Sequence, residues 1–269
     1  MTEDKDAYER LQRRYERERT ARREAEAIAE RVTAELYSAT ENLQAANQAI
    51  RDFMAIASHD LKSPLTSIIG AASMLRESWR VLTDEQREGL LEAATRQGTH
   101  MSRMVDDLLT ISKIESGALE PHPAAVELRR AIDRVVGAFI DWAGQVRVSA
   151  LNSISAECDP DHLERILTNY IGNAIKYGAP PIHVEAEQAD EWVEIRVRDH
   201  GAGVPDDFVP RLFGRFSRAD DARTRSQPGS GLGLSIVQGL ARMNGGDTWY
   251  EPNDPNGSCF AVRLRRSVA

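Results

Sequence analysis

A chain of 269 residues, 41% hydrophobic and 28% charged, has room for two modest domains or for one domain and an extended helical part. Its net charge of −8 argues against a nucleic-acid partner, because phosphate binding calls for a basic face. No apolar run approaches the roughly 18 residues of a membrane span, and MTEDKDAYER lacks the apolar core of a signal peptide, so a cytoplasmic location is expected.

The first fifty residues are rich in Arg, Glu and Ala and contain neither Pro nor Gly. Every seventh position from Tyr8 reads Tyr8, Tyr15, Arg22, Ala29, Leu36, Leu43 and Ile50; a companion series runs Leu11, Glu18, Ala25, Val32, Ala39, Ala46 and Phe53. Mostly apolar seams at this repeat predict a left-handed coiled coil in a parallel homodimer, weakened where Glu18 and Arg22 interrupt it. Beyond Phe53 the apolar positions recur every four residues, through Ala57, Leu61 and Leu65. Such a stutter unwinds a coil locally. His59 falls midway between Ala57 and Leu61, about 200° from either at about 100° per residue, and is expected to face outward. Pro64 is expected to interrupt the helix here, since its ring clashes with the carbonyl of Asp60 and its nitrogen donates no bond.

This helix should end near Trp79. Thr83, with Gln86 three residues on, forms the capping-box signature of a second helix, which runs through Leu90, Ala94, Met101, Met104, Leu108 and Ile111 to Gly117. Two long amphipathic helices joined by a short loop make an antiparallel hairpin, and two such hairpins a four-helix bundle. The segment from Gly117 to Pro123 holds two prolines two residues apart and reads as a linker. From residue 125 the pattern is mixed. Residues 125–142 are expected as an amphipathic helix, and Pro160 opens another that reaches Tyr177. Ile182, Val184 and Ala186 alternate with polar residues, as do Val193, Ile195 and Val197, and Phe260, Val262 and Leu264; each set predicts a strand with one wet face. Leu232–Asn244 reads as a helix stopped by Gly245-Gly246. Cys158 and Cys259, lacking metal-type spacing, are expected as reduced, buried thiols. The expected fold is therefore α+β: a coiled coil over 1–50, a helical hairpin over 51–117, a linker over 118–124, and a two-layer α/β sandwich over 125–269.

Five segments in order carry the chemistry: FMAIASHDLKSPLTSI, LTNYIGNAIKYG, DHGAGVP, RLFGRFSR and GSGLGLSIV. Together they resemble the phosphoacceptor, N, first glycine, phenylalanine and second glycine boxes of two-component sensor histidine kinases, with an ATPase domain of the Bergerat type. The resemblance covers roughly residues 45–266. It implies a homodimeric, ATP-dependent enzyme that phosphorylates its own His59 and passes the phosphoryl group to an aspartate of a response-regulator receiver domain. Neutral imidazole suits this role near pH 7, because one ring nitrogen keeps a free lone pair. The resemblance assigns Asp60 to orienting His59 and accepting its proton, for which a carboxylate is suited. Asn169 and Asn173 lie four apart, so both amides project from one helix face. Relatives use that face to hold Mg²⁺ and the triphosphate, and the Asn173 amide oxygen is the implied metal ligand.

Lys176 and Tyr177 would lie near the phosphates and the nucleotide rim. Asp199 would accept the adenine amino hydrogen, with Gly201 and Gly203 letting backbone approach the base. Residues 214–231 read as a lid over ATP, anchored by Phe213 and Phe216 and hinged by Gly229 and Gly231, with Arg215 as a γ-phosphate contact. Gly229, Gly231 and Gly233 lead into a helix whose N–H groups suit phosphate oxygens. There is no GK[ST] of a P-loop and no dinucleotide-fold pattern.

Two departures stand out. Relatives carry Thr or Asn four residues after the histidine to position water for dephosphorylation. Here that residue is Ser63, which can also hydrogen-bond water and leaves phosphatase activity open. Residues 1–50 are too short and polar for a folded input domain, so the chain is either the core of a longer protein or takes its input from a separate sensor. The competing reading is an ATP-binding dimeric scaffold with little turnover.

Overall fold

The computed structural model describes residues 2–142, 144–150, 154–217 and 230–267, with many side chains before Met54 also outside the description. The described chain forms two compact units, Met1–Ala57 and Ser58–Ala269. Helix α1 is assigned from Thr2 to Ser78. Within the first unit, the described apolar residues Tyr15, Val32, Leu36, Tyr37 and Leu43 are exposed. The seam side chains of Tyr8, Leu11, Ala25, Ala29, Ala46, Ile50 and Phe53 lie outside the described residues.

In the second unit the expected break at Pro64 does not occur, and helix continues through it to Ser78. Proline removes only one ladder bond, that to the carbonyl of Asp60. Asp60 is half-exposed, so water can serve the orphaned oxygen. A turn then leads to helix α2, Asp84–Glu115. Its start follows the sequence closely: Thr83 Oγ1 accepts from the Gln86 N–H and the Gln86 side chain accepts from the Thr83 N–H. Arg87 fastens the turn by donating to the Trp79 carbonyl and stacking over the Trp79 ring, 4.6 Å from its centroid. At the far end the N–H groups of Ala118 and Leu119 both donate to the carbonyl of Lys113, with Gly117 at φ +65°.

The helix expected over 125–142 is not one element. Ala124–Glu127 is a strand, β1, followed by helix α3, Leu128–Ala138, and a single 3₁₀ turn, Ile140–Trp142. Two further strands not foreseen, β2 (Val146–Ala150) and β3 (Ser155–Cys158), precede helix α4, Pro160–Tyr177. Strands β4 (Ile182–Ala189) and β5 (Trp192–Arg198) follow, then helix α5 (Gly233–Met243) and strands β6 (Asp247–Pro252) and β7 (Ser258–Arg265). β1 pairs antiparallel with β3, satisfying backbone groups that a four-residue segment cannot satisfy alone. The main sheet has the order β2-β4-β5-β7-β6, antiparallel except for β2 beside β4.

One face of that sheet is the core. Ile182, Val184, Val193, Ile195, Val197, Phe260, Val262 and Leu264 are buried on it, as the alternation required. Against them lie Leu128, Ile132 and Val135 of α3, Leu163, Ile166, Leu167, Tyr170 and Ile171 of α4, and Ile236, Val237 and Leu240 of α5. Each such side chain contributes about 1.5–3 kcal/mol on burial, which sets a rigid floor beneath the loops at the strand ends.

Asp159 ties three elements together. Its carboxylate caps α4 by accepting from the N–H groups of Asp161 and His162, and also accepts the N–H of His122 in the linker at 2.8 Å. Its own N–H donates to Asn244, the residue after α5. Burial by itself would raise this carboxyl, but the three backbone donors and nearby His162 bring it below the usual carboxylate range.

Candidate functional site

His59 lies on α1 with its side chain 84% exposed, opposite the buried Ala57, as the helical phase predicted. Its Nδ1 lies 3.1 Å from Oδ1 of Asp60. A carboxylate there holds the ring proton on Nδ1 and leaves the Nε2 lone pair facing solvent. Ser63 is exposed one turn further along the same face. Thr66 and Ser67 donate their hydroxyls to the carbonyls of Lys62 and Ser63, so Ser67 is turned back on its own helix. Further along α1, Met74 is exposed and Ala71 is buried.

The second cluster gathers around Asp199, which follows β5 and is 3% exposed. Its Oδ1 accepts the Gly201 N–H at 2.8 Å and the Ser258 N–H at 3.3 Å. Burial pushes its carboxyl above the usual range, opposed by those two donors. Three glycines wall it in. A Cβ on Gly178 would lie 2.4 Å from Asp199 Cγ, one on Gly257 would lie 1.9 Å from its backbone oxygen, and one on Gly201 would lie 3.0 Å from its Oδ1. Gly203 sits at φ +76° beside Gly257, and Tyr250 Oη accepts the adjacent Val204 N–H. Asn253 donates to the Asp199 carbonyl at 2.8 Å. Gly178, Tyr250, Asn253, Gly257 and Ser258 were not foreseen; the Asn256-Gly257 dipeptide before the last alternating run was the hairpin signal that could have found Gly257 and its neighbours, though not Gly178.

Beside this cluster, α4 presents Asn169 and Asn173. Asn169 donates its amide nitrogen to the Arg165 carbonyl, and a Cβ on Gly233 would come within 2.5 Å of its Oδ1. Gly233, the first residue of α5, thus makes room for an amide oxygen beside that helix's N-terminus. The half-buried Asn173 amide has no hydrogen-bond partner among the described residues. Gly231, at φ +66°, passes against the backbone of Phe216, itself at φ +52°. Phe213 is half-buried behind the buried Leu212 and Phe208. Lys176 and Tyr177, both exposed, end α4. Desolvation and then Arg103 lower the Lys176 ammonium, with Asp107 opposing them. Arg215 is ion-paired with Glu115 at the end of α2. Gly229 and the middle of the expected lid, residues 218–229, lie outside the described residues.

The structure therefore forms two clusters. No hydrogen bond or ion pair among the described residues joins His59, Asp60 or Ser63 to the residues around Asp199 and Asn173. Chemically, the first offers an accessible nucleophilic nitrogen beside a proton acceptor. The second offers a buried carboxylate acceptor in a cradle bare of side chains, next to amide oxygens and a helix N-terminus suited to anions. The donor set fits magnesium, a hard cation that takes oxygen ligands and keeps water and phosphate in its shell. Among the described residues no group of three or more His, Cys, Asp or Glu is placed to hold a metal by itself.

Two family patterns match the chain. Residues 49–117 match "His Kinase A (phospho-acceptor) domain", and residues 158–268 match "Histidine kinase-, DNA gyrase B-, and HSP90-like ATPase". The signal transduction histidine-protein kinase AfsQ2 of Streptomyces coelicolor is 34% identical over 84% of this chain and 45% of its own length. The sensor protein kinase WalK of Staphylococcus aureus is 30% identical over 85% of this chain and 56% of its own. The chain thus spans about half the length of these curated relatives. Among solved structures, the Acinetobacter baumannii histidine kinase AdeS is similar with a TM-score of 0.63 at 22% identity, over 78% of this chain and 98% of that one, a likeness of fold. No described helix is long and apolar enough to cross a membrane.

Proposed function

Because this chain belongs to the two-component sensor histidine kinases, we propose that it binds Mg-ATP beside Asp199 and phosphorylates its own His59. The observation that carries this reading is the exposed His59 ring held by Asp60 through Nδ1. The free Nε2 attacks the γ-phosphorus, the bond from that phosphorus to the β–γ bridging oxygen breaks, and ADP leaves with the electron pair. The ring then carries an extra positive charge, and Asp60 accepts the Nδ1 proton. Phosphoryl transfer needs positioning and charge neutralisation more than covalent help.

Each part of the second cluster has a task in this reading. Asp199 accepts the adenine amino hydrogen, and Gly178, Gly201, Gly203 and Gly257 let the ring lie close to backbone. Asn173 holds magnesium, which neutralises phosphate charge when bound. Asn169, Lys176 and the N-terminus of α5 from Gly231 to Gly233 face the phosphates, and Tyr177, Phe213 and Phe216 frame the rim. Arg215 supplies a further cation to the γ-phosphate. The phosphohistidine then serves as donor to an aspartate on a response-regulator receiver domain, which docks on the exposed face around His59 and Met74. Homodimerisation through the hairpin and the coiled coil completes the assembly; the exposed Leu65, Ile69, Leu91, Val105 and Leu109 give it apolar surface to cover. ATP as donor places the reaction in the cytoplasm. Ser63, whose hydroxyl can hydrogen-bond water, would hold the water for hydrolysis of the regulator's aspartyl phosphate if the chain also acts as a phosphatase.

The test is incubation with γ-labelled ATP and Mg²⁺. Label should appear on the wild type, be lost in acid but kept in base, and be absent from His59→Gln. Nucleotide binding without labelled protein would instead indicate the scaffold reading, and label that survives His59→Gln or resists acid would overturn the histidine assignment.

A further inference from the structure

The phosphate-handling segments of the ATPase domain are not free in this structure; they are held against the second hairpin helix by a set of polar contacts. Asp107 of α2 accepts from Arg165 of α4 at 2.7 Å and from the hydroxyl of Ser230 at 3.3 Å. Ser230 in turn accepts the N–H of Leu232, so the residue that opens the last glycine segment is fixed to α2. Two turns on, Glu115 pairs with Arg215. Between them Ile114 packs over Gly239 of α5, where any Cβ would come within about 3.0 Å of it. Asp107 and Arg165 are only 21% and 33% exposed, so this pair is sheltered, whereas Glu115 and Arg215 are both nearly half exposed and exchangeable.

Arg215 is thereby claimed twice. Its guanidinium serves the Glu115 carboxylate here, and the nucleotide site proposed above needs the same group at the γ-phosphate. Glu115 holds the guanidinium through Nη2 at the end of α2, and two anions drawn to one cation repel each other, so the carboxylate opposes a γ-phosphate on the same group. Resting on that reading of the site, we infer that Glu115 is an intramolecular competitor of the γ-phosphate for Arg215. Binding of a nucleoside triphosphate withdraws Arg215 and loosens the domain from α2, and docking on α2 weakens triphosphate binding in return. The reciprocity is a thermodynamic requirement of two ligands sharing one group. A diphosphate, lacking the γ-phosphate, leaves the Arg215–Glu115 pair in place. The device therefore makes release of the domain depend on the nucleotide that can donate, and redocking follows once ADP remains. The Asp107 contacts, which involve no proposed γ-phosphate ligand, keep the domain near α2 when Arg215 leaves.

The experiment measures Mg-ATP and Mg-ADP dissociation constants for the full chain at low ionic strength. Glu115→Gln, an exposed change at a helix end, should tighten Mg-ATP binding about two- to fivefold, the range for a partly exposed ion pair, and leave Mg-ADP unchanged. In an Arg215→Ala background the same substitution should change neither constant. The ATP gain should shrink as salt rises, because the pair is screened. An equal gain for both nucleotides, no gain at all, or a gain that persists without Arg215 would each overturn the inference. A wild type that binds no Mg-ATP would instead overturn the nucleotide-site reading itself, so the two failures are distinguishable.

Discussion

Gly178→Ala isolates what the glycine wall around Asp199 does. Gly178 closes α4 at φ −89° and ψ −164°, backbone angles any L-residue adopts, so alanine there introduces no backbone strain. It introduces volume. The new Cβ would lie 2.4 Å from Asp199 Cγ, 2.5 Å from its Cβ and 2.6 Å from the Ala174 carbonyl oxygen. Carbon contacts settle at about 3.5–4.0 Å, so something must yield by about 1 Å. The Asp199 side chain has no retreat, being tied to the N–H groups of Gly201 and Ser258. Overpacking of this kind costs about 1–3 kcal/mol. If the carboxylate turns to relieve it, the hydrogen bond proposed from the adenine amino group to Asp199 is lost, a charge-assisted bond of about 1.5–3 kcal/mol, tenfold or more in affinity. The control lies six residues earlier. Gly172, within α4, has open space around a Cβ, so Gly172→Ala should stabilise by about 0.5–1 kcal/mol. Urea denaturation and titration with a fluorescent ATP analogue, run on both variants, give the comparison. Should Gly178→Ala match Gly172→Ala in stability and the wild type in affinity, the steric argument is wrong.

Three other outcomes follow from buried groups. Asn244 Nδ2 donates to the Leu240 carbonyl and to Nδ1 of His162, a bond that favours the neutral ring; burial, foremost, lowers its pKa. Asp159 is lowered as well. Both mean that the unfolded chain binds more protons than the folded one on acidification. Stability should therefore fall as pH drops below about 6.5 for His162 and further below about 4 for Asp159. The urea midpoint should decline between about pH 7.5 and about pH 5, and His162→Gln should flatten that slope; a flat wild-type profile would refute the assignment. Burial, then Asp159, push the Cys158 thiol up to about 12, so native protein should resist thiol reagents that label it in urea. Tyr170→Phe removes a fully buried O–H bond to the Ala261 carbonyl and should cost about 1 kcal/mol in denaturant titration.

What the sequence made legible was periodic or local. The outward phase of His59, the Thr83 cap, the start of α4 at Pro160 and the alternation of β4, β5 and β7 all depend on residues a few positions apart. β1 and β3 escaped because AAVE and SAEC have no pattern of their own; they are strands only by pairing with each other across the intervening helix. The Pro64 expectation failed because a local penalty was weighed without the rest of a long helix that outweighs it. The placing of Asn169 and Asn173 on one face of α4 was legible as four-residue spacing, but Gly178 and Gly257 reach Asp199 from distant segments, which only the sheet order brings together. That Arg215 would be engaged by Glu115 could not be read at all, since nothing in either local sequence points to the other.

The Asp159–His122 bond sets a limit on travel. Ala118 and Leu119 are fastened to the end of α2 and His122 to the start of α4, which leaves Glu120 and Pro121 as the only slack between the hairpin and the ATPase domain. At about 3.5 Å per extended residue that is a tether of about 10 Å. Uncoiling everything from Ser116 to Pro121 extends it to about 25 Å. The ATPase domain is a short-leashed body, and its choice of acceptor histidine is bounded by reach before any chemistry begins.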